Sequence, residues 1–178
     1  KDPFKVGTVC MNLGNAYFHI LVRDSARIYT NRARQLFSGI SKIYYAGTAM
    51  QTIAFTLISD KRYPEALIYL DSVHAIAMQQ GTGLELLESK YLLSDVTVFT
   101  GVTHCLMHNY SRAKKYLLQG YSLSDSLGML ERANDALQHL AIAYEKTGQT
   151  DSAFYYHKLF KTASDSLTKV RTINIVKL

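Results

Sequence analysis

The feature of this 178-residue sequence that most constrains its fold is a pattern that occurs four times. Near the start of the chain Tyr17 precedes the small residue Ala26 by nine positions, and near the end Tyr144 precedes Ala153 by the same distance. Two weaker copies keep this spacing, Leu57 with Ala66 and His104 with Ala113. Periods of about 20–50 residues are typical of repeat arrays, in which each unit buries its apolar face against its neighbours. The repeats start near Gly7, Gly47, Ser94 and Asn134, at spacings of 40, 47 and 40.

Each copy has the composition of a pair of packed helices. Only two prolines occur, and 48% of the residues are hydrophobic, which is enough for a continuous core. Small residues stand where paired helices must approach closely, at Gly14, Ala54, Gly101 and Ala141 in the first helices and at Ala26, Ala66, Ala113 and Ala153 in the second. Gly81 and Gly128 lie fifteen residues after an anchor alanine, where a left-handed glycine ends a helix.

The pattern of Leu13-Gly14, Tyr17 and Ala26, together with its C-terminal copy, resembles the tetratricopeptide repeat over about residues 5–168. The common unit of that family has about 34 residues, so the spacings here imply longer helices. The resemblance implies an all-α fold, a right-handed α-α superhelix of about four helical hairpins in one domain. The repeats would cover residues 7–46, 47–93, 94–133 and 134–168, with a capping or connecting helix over 169–178.

The stretch from Leu159 to Leu167 and the basic, apolar tail after it also resemble the end of repeat arrays in Bacteroidetes sensors. In those proteins the array leads into a membrane helix and a signalling output domain. This resemblance implies the periplasmic part of a membrane-anchored sensor, with a cytoplasmic adaptor as the alternative. No apolar run approaches the ~20 residues that a membrane helix needs, so we expect no membrane contact within this segment.

In the tetratricopeptide family the first helix of each hairpin lines a concave groove. The resemblance implies that the groove is formed by Met11, Asn15, Phe18, His19, Gln51, Phe55, Val98, Val102, Gln138, Ile142 and Glu145. The amides of Asn15, Gln51 and Gln138 offer donors and acceptors to the backbone of a peptide. We therefore expect a scaffold that binds a peptide or protein segment. Two alternatives stay open: a neighbouring helix or second subunit covers the groove, or the domain senses a small ligand or signalling peptide.

Catalysis is not indicated, because no phosphate-binding loop, dinucleotide fingerprint or nucleophile elbow occurs, and we expect no cofactor and no metal. His104 and His108 are four residues apart, but His104 takes the large core position of its repeat, which favours a structural role. Some members of the tetratricopeptide family bind a terminal carboxylate with a lysine at the position where Met11 stands. This sequence lacks that charge, so we do not expect it to bind a carboxylate in this way. Cys10 and Cys105 lie far apart and are expected to be buried thiols.

The formal charge of +6 is concentrated between Arg23 and Lys42. Such an excess can attract an acidic partner, a lipid surface or nucleic acid. No motif of a nucleic-acid-binding fold accompanies it, so the interpretation we favour is a solvated helix face, and a nucleic-acid partner is not expected.

Overall fold

The computed structural model describes residues 2–79 and 83–176, and these residues form α-helices without a strand. The eight helices are α1 (Pro3–His19), α2 (Arg23–Gly39), α3 (Ile43–Ser59), α4 (Tyr63–Ala77), α5 (Leu84–Leu106), α6 (Tyr110–Ser126), α7 (Leu130–Lys146) and α8 (Thr150–Val176). The all-α class with helical hairpins is confirmed. Residues 169–176 continue α8 without a break, and residues 177–178 lie outside the described part. No helix among the described residues is long and apolar enough to cross a membrane.

A period of 20 residues per helix explains the repeat spacings. Helices α1, α2 and α3 each have 17 residues, and so do α6 and α7. Turns of three residues separate them, so one hairpin takes 40 residues. Most of the excess in the spacing of 47 comes from α5, which has 23 residues and is therefore longer than the 17-residue helices.

The ends of six helices share one turn geometry. A residue with positive φ follows each of them, at Leu21, Ser41, Lys61, His108, Gly128 and Gly148. At Gly128 the φ is 67°, its N–H donates to the carbonyl of Asp125 at 3.1 Å, and the N–H of Met129 donates to that of Ser124 at 2.8 Å. This is the Schellman motif, which satisfies the last carbonyls of a helix. The prediction for Gly128 is confirmed, whereas Gly81 lies outside the described residues.

The chain divides into two compact units, Lys1–Val96 and Thr97–Leu178. In the first unit α1 packs on α2, α2 on α3 and α3 on α4. In the second unit α6 packs on α7 and α7 on α8. Within each unit, therefore, consecutive helices pack as neighbours, as a hairpin array requires.

The small residues of the repeat lie at close crossings. A Cβ on Gly101 would lie 3.0 Å from the backbone nitrogen of Leu117, and one on Gly120 would lie 3.0 Å from the backbone nitrogen of Val98. In the first unit a Cβ on Gly14 would collide with the hydroxyl of Thr30. Helix backbones this close leave no room for a side chain, which is the physical reason for the small residues.

Stacked rings explain the large position of the repeat. The rings of Tyr17 and Tyr29 stack at 5.4 Å, and those of Tyr144 and Tyr156 stack at 5.2 Å. His104 is buried and stacks on Tyr116 at 5.6 Å, at the same place in its repeat. His104 therefore lies in the core, at the position where its repeat predicted a large packed residue.

Candidate functional site

In the first unit, the predicted groove residues lie on the neighbouring first helices α1 and α3. Met11, Asn15 and Phe18 of α1 are half-buried, and His19 is exposed. On α3, Phe55 is half-buried. The two helices contact each other directly. A half-buried face of this kind leaves side chains accessible on an otherwise packed surface.

A polar contact connects the two helices at this face. The Thr52 hydroxyl lies 3.3 Å from Asn15 Oδ1 and also 3.3 Å from the Thr48 carbonyl. It follows that Asn15, one of the three predicted groove amides, is held at the crossing of α1 and α3 with its oxygen engaged.

Gln51 is the unusual residue of this face. It is only 5% exposed, and its Nε2 is buried without a hydrogen-bond partner. A buried donor left without an acceptor costs about 1–3 kcal/mol, and native structures contain few of them. The neighbour of Gln51 in sequence, Thr52, makes the contact between α3 and Asn15 of α1.

The predicted groove residues of the second unit differ in their exposure. Val98 is fully buried against Gly120, and Val102 is 9% exposed in the same core cluster. Ile142 is partly buried and packs on this cluster. Gln138 and Glu145 of α7 are exposed. In this unit α7, rather than α5, presents side chains to solvent from the predicted set.

A cavity that the sequence did not indicate lies in the first unit, with a volume of about 240 Å³. Its lining includes Lys42, Tyr44, Gln79, Glu85, Glu88 and Leu92. Burial raises the pKa of Tyr44, and the carboxylates of Glu88 and Asp95 raise it further. The walls therefore combine aromatic and aliphatic side chains with charged ones, and the Tyr44 phenol stays protonated to a higher pH than that of a free tyrosine.

Part of the basic excess of the first unit is paired. Arg23 Nε lies 2.9 Å from a carboxylate oxygen of Asp60. Arg27 lies between two acids, 2.5 Å from Asp24 and 3.5 Å from Asp60. These arginines are engaged with carboxylates within the protein, which supports the interpretation of a solvated, internally balanced face.

The remaining chemistry-bearing residues have structural surroundings. The described residues contain no group of three or more His, Cys, Asp or Glu side chains that could hold a metal ion. Nδ1 of His108 lies 2.8 Å from the hydroxyl of Tyr110. Cys10 and Cys105 are free and buried, as predicted, and burial raises the pKa of the Cys105 thiol. A thiol of raised pKa is a poor nucleophile.

These arrangements define the class of protein, a helical-repeat protein with a tetratricopeptide-like fold. No family model and no curated protein matches the sequence. Among solved structures, the chain is similar to aspartyl phosphate phosphatase F from Bacillus subtilis, with a TM-score of 0.83 and 15% sequence identity. The match covers 96% of this chain and 43% of that one, so the chain spans less than half of its neighbour's length. At this identity the likeness shows the fold alone.

Proposed function

We propose that this chain is a protein-interaction scaffold that binds a peptide or protein segment along the face of α1 and α3. The resemblance to sensor arrays favours a place as the sensory or adaptor part of a larger signalling protein. A helical-repeat neighbour supports a protein partner. The neighbour's own name concerns aspartyl phosphate, and no residue of this chain is assigned to that chemistry.

The observation that carries the proposal is the unpaired Nε2 of Gln51. An extended or helical peptide has backbone carbonyls that accept hydrogen bonds from amides. Because Nε2 is buried, a peptide carbonyl meets this donor only when the Gln51 side chain turns outward, and the bond then recovers the free energy that the unpaired group loses in the free protein. The rings of Phe18 on α1 and Phe55 on α3 are half-buried, and they provide apolar area for side chains of a bound segment.

The test is a selection of peptides from a random library on the full chain, followed by calorimetry with the enriched peptides. Gln51→Leu replaces the amide with an apolar side chain of similar size. We expect it to weaken binding about tenfold, which corresponds to about 1.4 kcal/mol for a lost hydrogen bond. The free protein should keep its stability or gain about 1 kcal/mol, since an unpaired donor is removed.

Gln35→Leu is the matched control, because Gln35 is exposed on α2 and the chemical change is the same. Equal affinity of both variants and the wild type for every selected peptide would contradict the proposal. Parallel loss of stability and affinity in Gln51→Leu would instead assign the residue to the core.

A small-ligand sensor is the second candidate, and the cavity beside Tyr44 is the observation that favours it. Its volume of about 240 Å³ is below the roughly 300–1,000 Å³ of most ligand pockets, so it suits only a compact molecule. A screen of metabolites by thermal shift, repeated on Tyr44→Ala, tests this candidate. A ligand that stabilises both proteins equally does not use the cavity.

A further inference from the structure

One side of α1 carries an apolar stripe, which we call the edge face, formed by Val9, Leu13 and Ala16 of the helix and by Ile20 directly after its last residue. Val9 is 57% exposed, Leu13 38% and Ile20 65%, and Ala16 is exposed as well. The spacings of four, three and four residues place these side chains on one side of the helix. An exposed apolar stripe on a helix marks a place where another surface packs.

The same repeat positions are buried in the other first helices. In α3, forty residues further on, Ala49, Ile53 and Thr56 are at most 2% exposed. In α7, which belongs to the second unit, the corresponding residues are Ala136, Leu140 and Ala143, and each is fully buried. The exposure of the edge face is therefore a property of α1 alone among these three helices.

In both cases the covering element is the second helix of the preceding hairpin. Ala49 belongs to a core cluster with Ala33 and Phe37 of α2, and α2 packs on α3. Leu140 belongs to a cluster with Leu117 of α6, and α6 packs on α7. The edge face is the equivalent surface on α1, and its exposure shows that no described helix covers it.

We propose that the edge face docks an amphipathic α-helix with an apolar face and acidic flanks, packed as α2 packs on α3. The charge requirement follows from α1, which has no acidic residue and includes Lys5. A second copy offers a poor match through its last helix, because the exposed residues of α8 include His157, Lys158 and Lys161. Lysines set against Val9 and Leu13 would lose hydration without a counter-charge.

A suitable probe is a labelled peptide of residues 63–79 with blocked termini, because this second helix contains Glu65 and Asp71 and no Lys or Arg. Its binding to the full chain is measured by fluorescence anisotropy. We expect saturable binding that Leu13→Asp or Val9→Asp weakens about tenfold or more, since each substitution buries a charge in the interface. Ile68→Asp in the full chain, with the peptide unchanged, is the control, because Ile68 is 65% exposed on α4, away from the edge face.

Three outcomes overturn the proposal. The first is no saturable binding of the peptide at concentrations up to about 1 mM. The second is equal binding by Leu13→Asp and the wild type, with both proteins folded by circular dichroism. The third is a wild-type dimer in sedimentation that Leu13→Asp dissociates, which would assign the edge face to a second copy. Gln51→Leu does not alter the edge face. The docking of a helix at the edge face and the binding of a peptide along α1 and α3 are therefore tested by different variants.

Discussion

Four of the turns that follow the helices place a residue with a side chain at positive φ. Substitutions at these turns therefore measure what that backbone conformation costs. Lys61 is exposed with a φ of 60°, at the position that Gly128 occupies after α6 with a φ of 67°. We predict that Lys61→Gly stabilises the protein and that Gly128→Ala destabilises it.

The magnitude follows from two opposing contributions. The left-handed conformation costs a residue with a Cβ roughly 1–2 kcal/mol. Glycine loses about 0.5–1 kcal/mol more conformational entropy on folding than alanine does. The net gain for Lys61→Gly is therefore about 0.5–1 kcal/mol. A Cβ on Gly128 meets no atom within 4 Å, so Gly128→Ala should lose the same amount through the backbone alone.

The assay is urea unfolding followed by circular dichroism, with thermal melting as a second readout. For a chain of this length about 1 kcal/mol corresponds to roughly 2–4 °C in Tm. Lys61 and Gly128 belong to different compact units. Where the two units unfold in separate transitions, the free energy of each variant is taken from the transition that its substitution shifts.

Gly39→Ala is the control. Gly39 is the last residue of α2, a Cβ there also meets no atom within 4 Å, and its φ lies outside the positive range. Alanine should stabilise this position by up to about 1 kcal/mol. The reasoning is refuted if Gly128→Ala and Gly39→Ala change the free energy of unfolding in the same direction, or if Lys61→Gly lowers it.

Three further predictions concern buried and half-buried residues. Gly101→Ala should lower the free energy of unfolding by about 1–3 kcal/mol, because the added Cβ would lie 2.7 Å from the Leu117 side chain; an unchanged urea midpoint would contradict this. A double-mutant cycle of Tyr144→Leu and Tyr156→Leu should give a coupling energy of about 0.5–1.5 kcal/mol from the stacked rings, and additive effects would argue against it. Burial raises the folded-state pKa of Tyr44 and Tyr156 above the usual 10.0, so their contribution to stability is complete below pH 10 and is lost as the pH rises through the folded values. Urea midpoints between pH 9 and pH 12 check this, and a midpoint that rises with pH would reverse the sign.

The sequence by itself determined the helical repeat. The recurrence of Tyr17 and Ala26 in later copies, and the left-handed position of Gly128, are local patterns whose meaning depends on helix geometry alone. The burial of His104 followed from its place in the repeat. Local periodicity reports which face of a helix is apolar, and this is enough to infer hairpins and their order.

Only the tertiary structure decided which of those faces are covered. Val98 and Val102 have the repeat positions of groove residues, yet they lie in the core, because Gly120 lets α6 approach α5 closely. Leu13 and Leu140 have equivalent places in the repeat, but one is exposed and the other is fully buried. Burial depends on which helix packs alongside, and that neighbour is remote in sequence. A repeat therefore predicts its own hairpin from local spacing, whereas its accessible surface is determined by its neighbours.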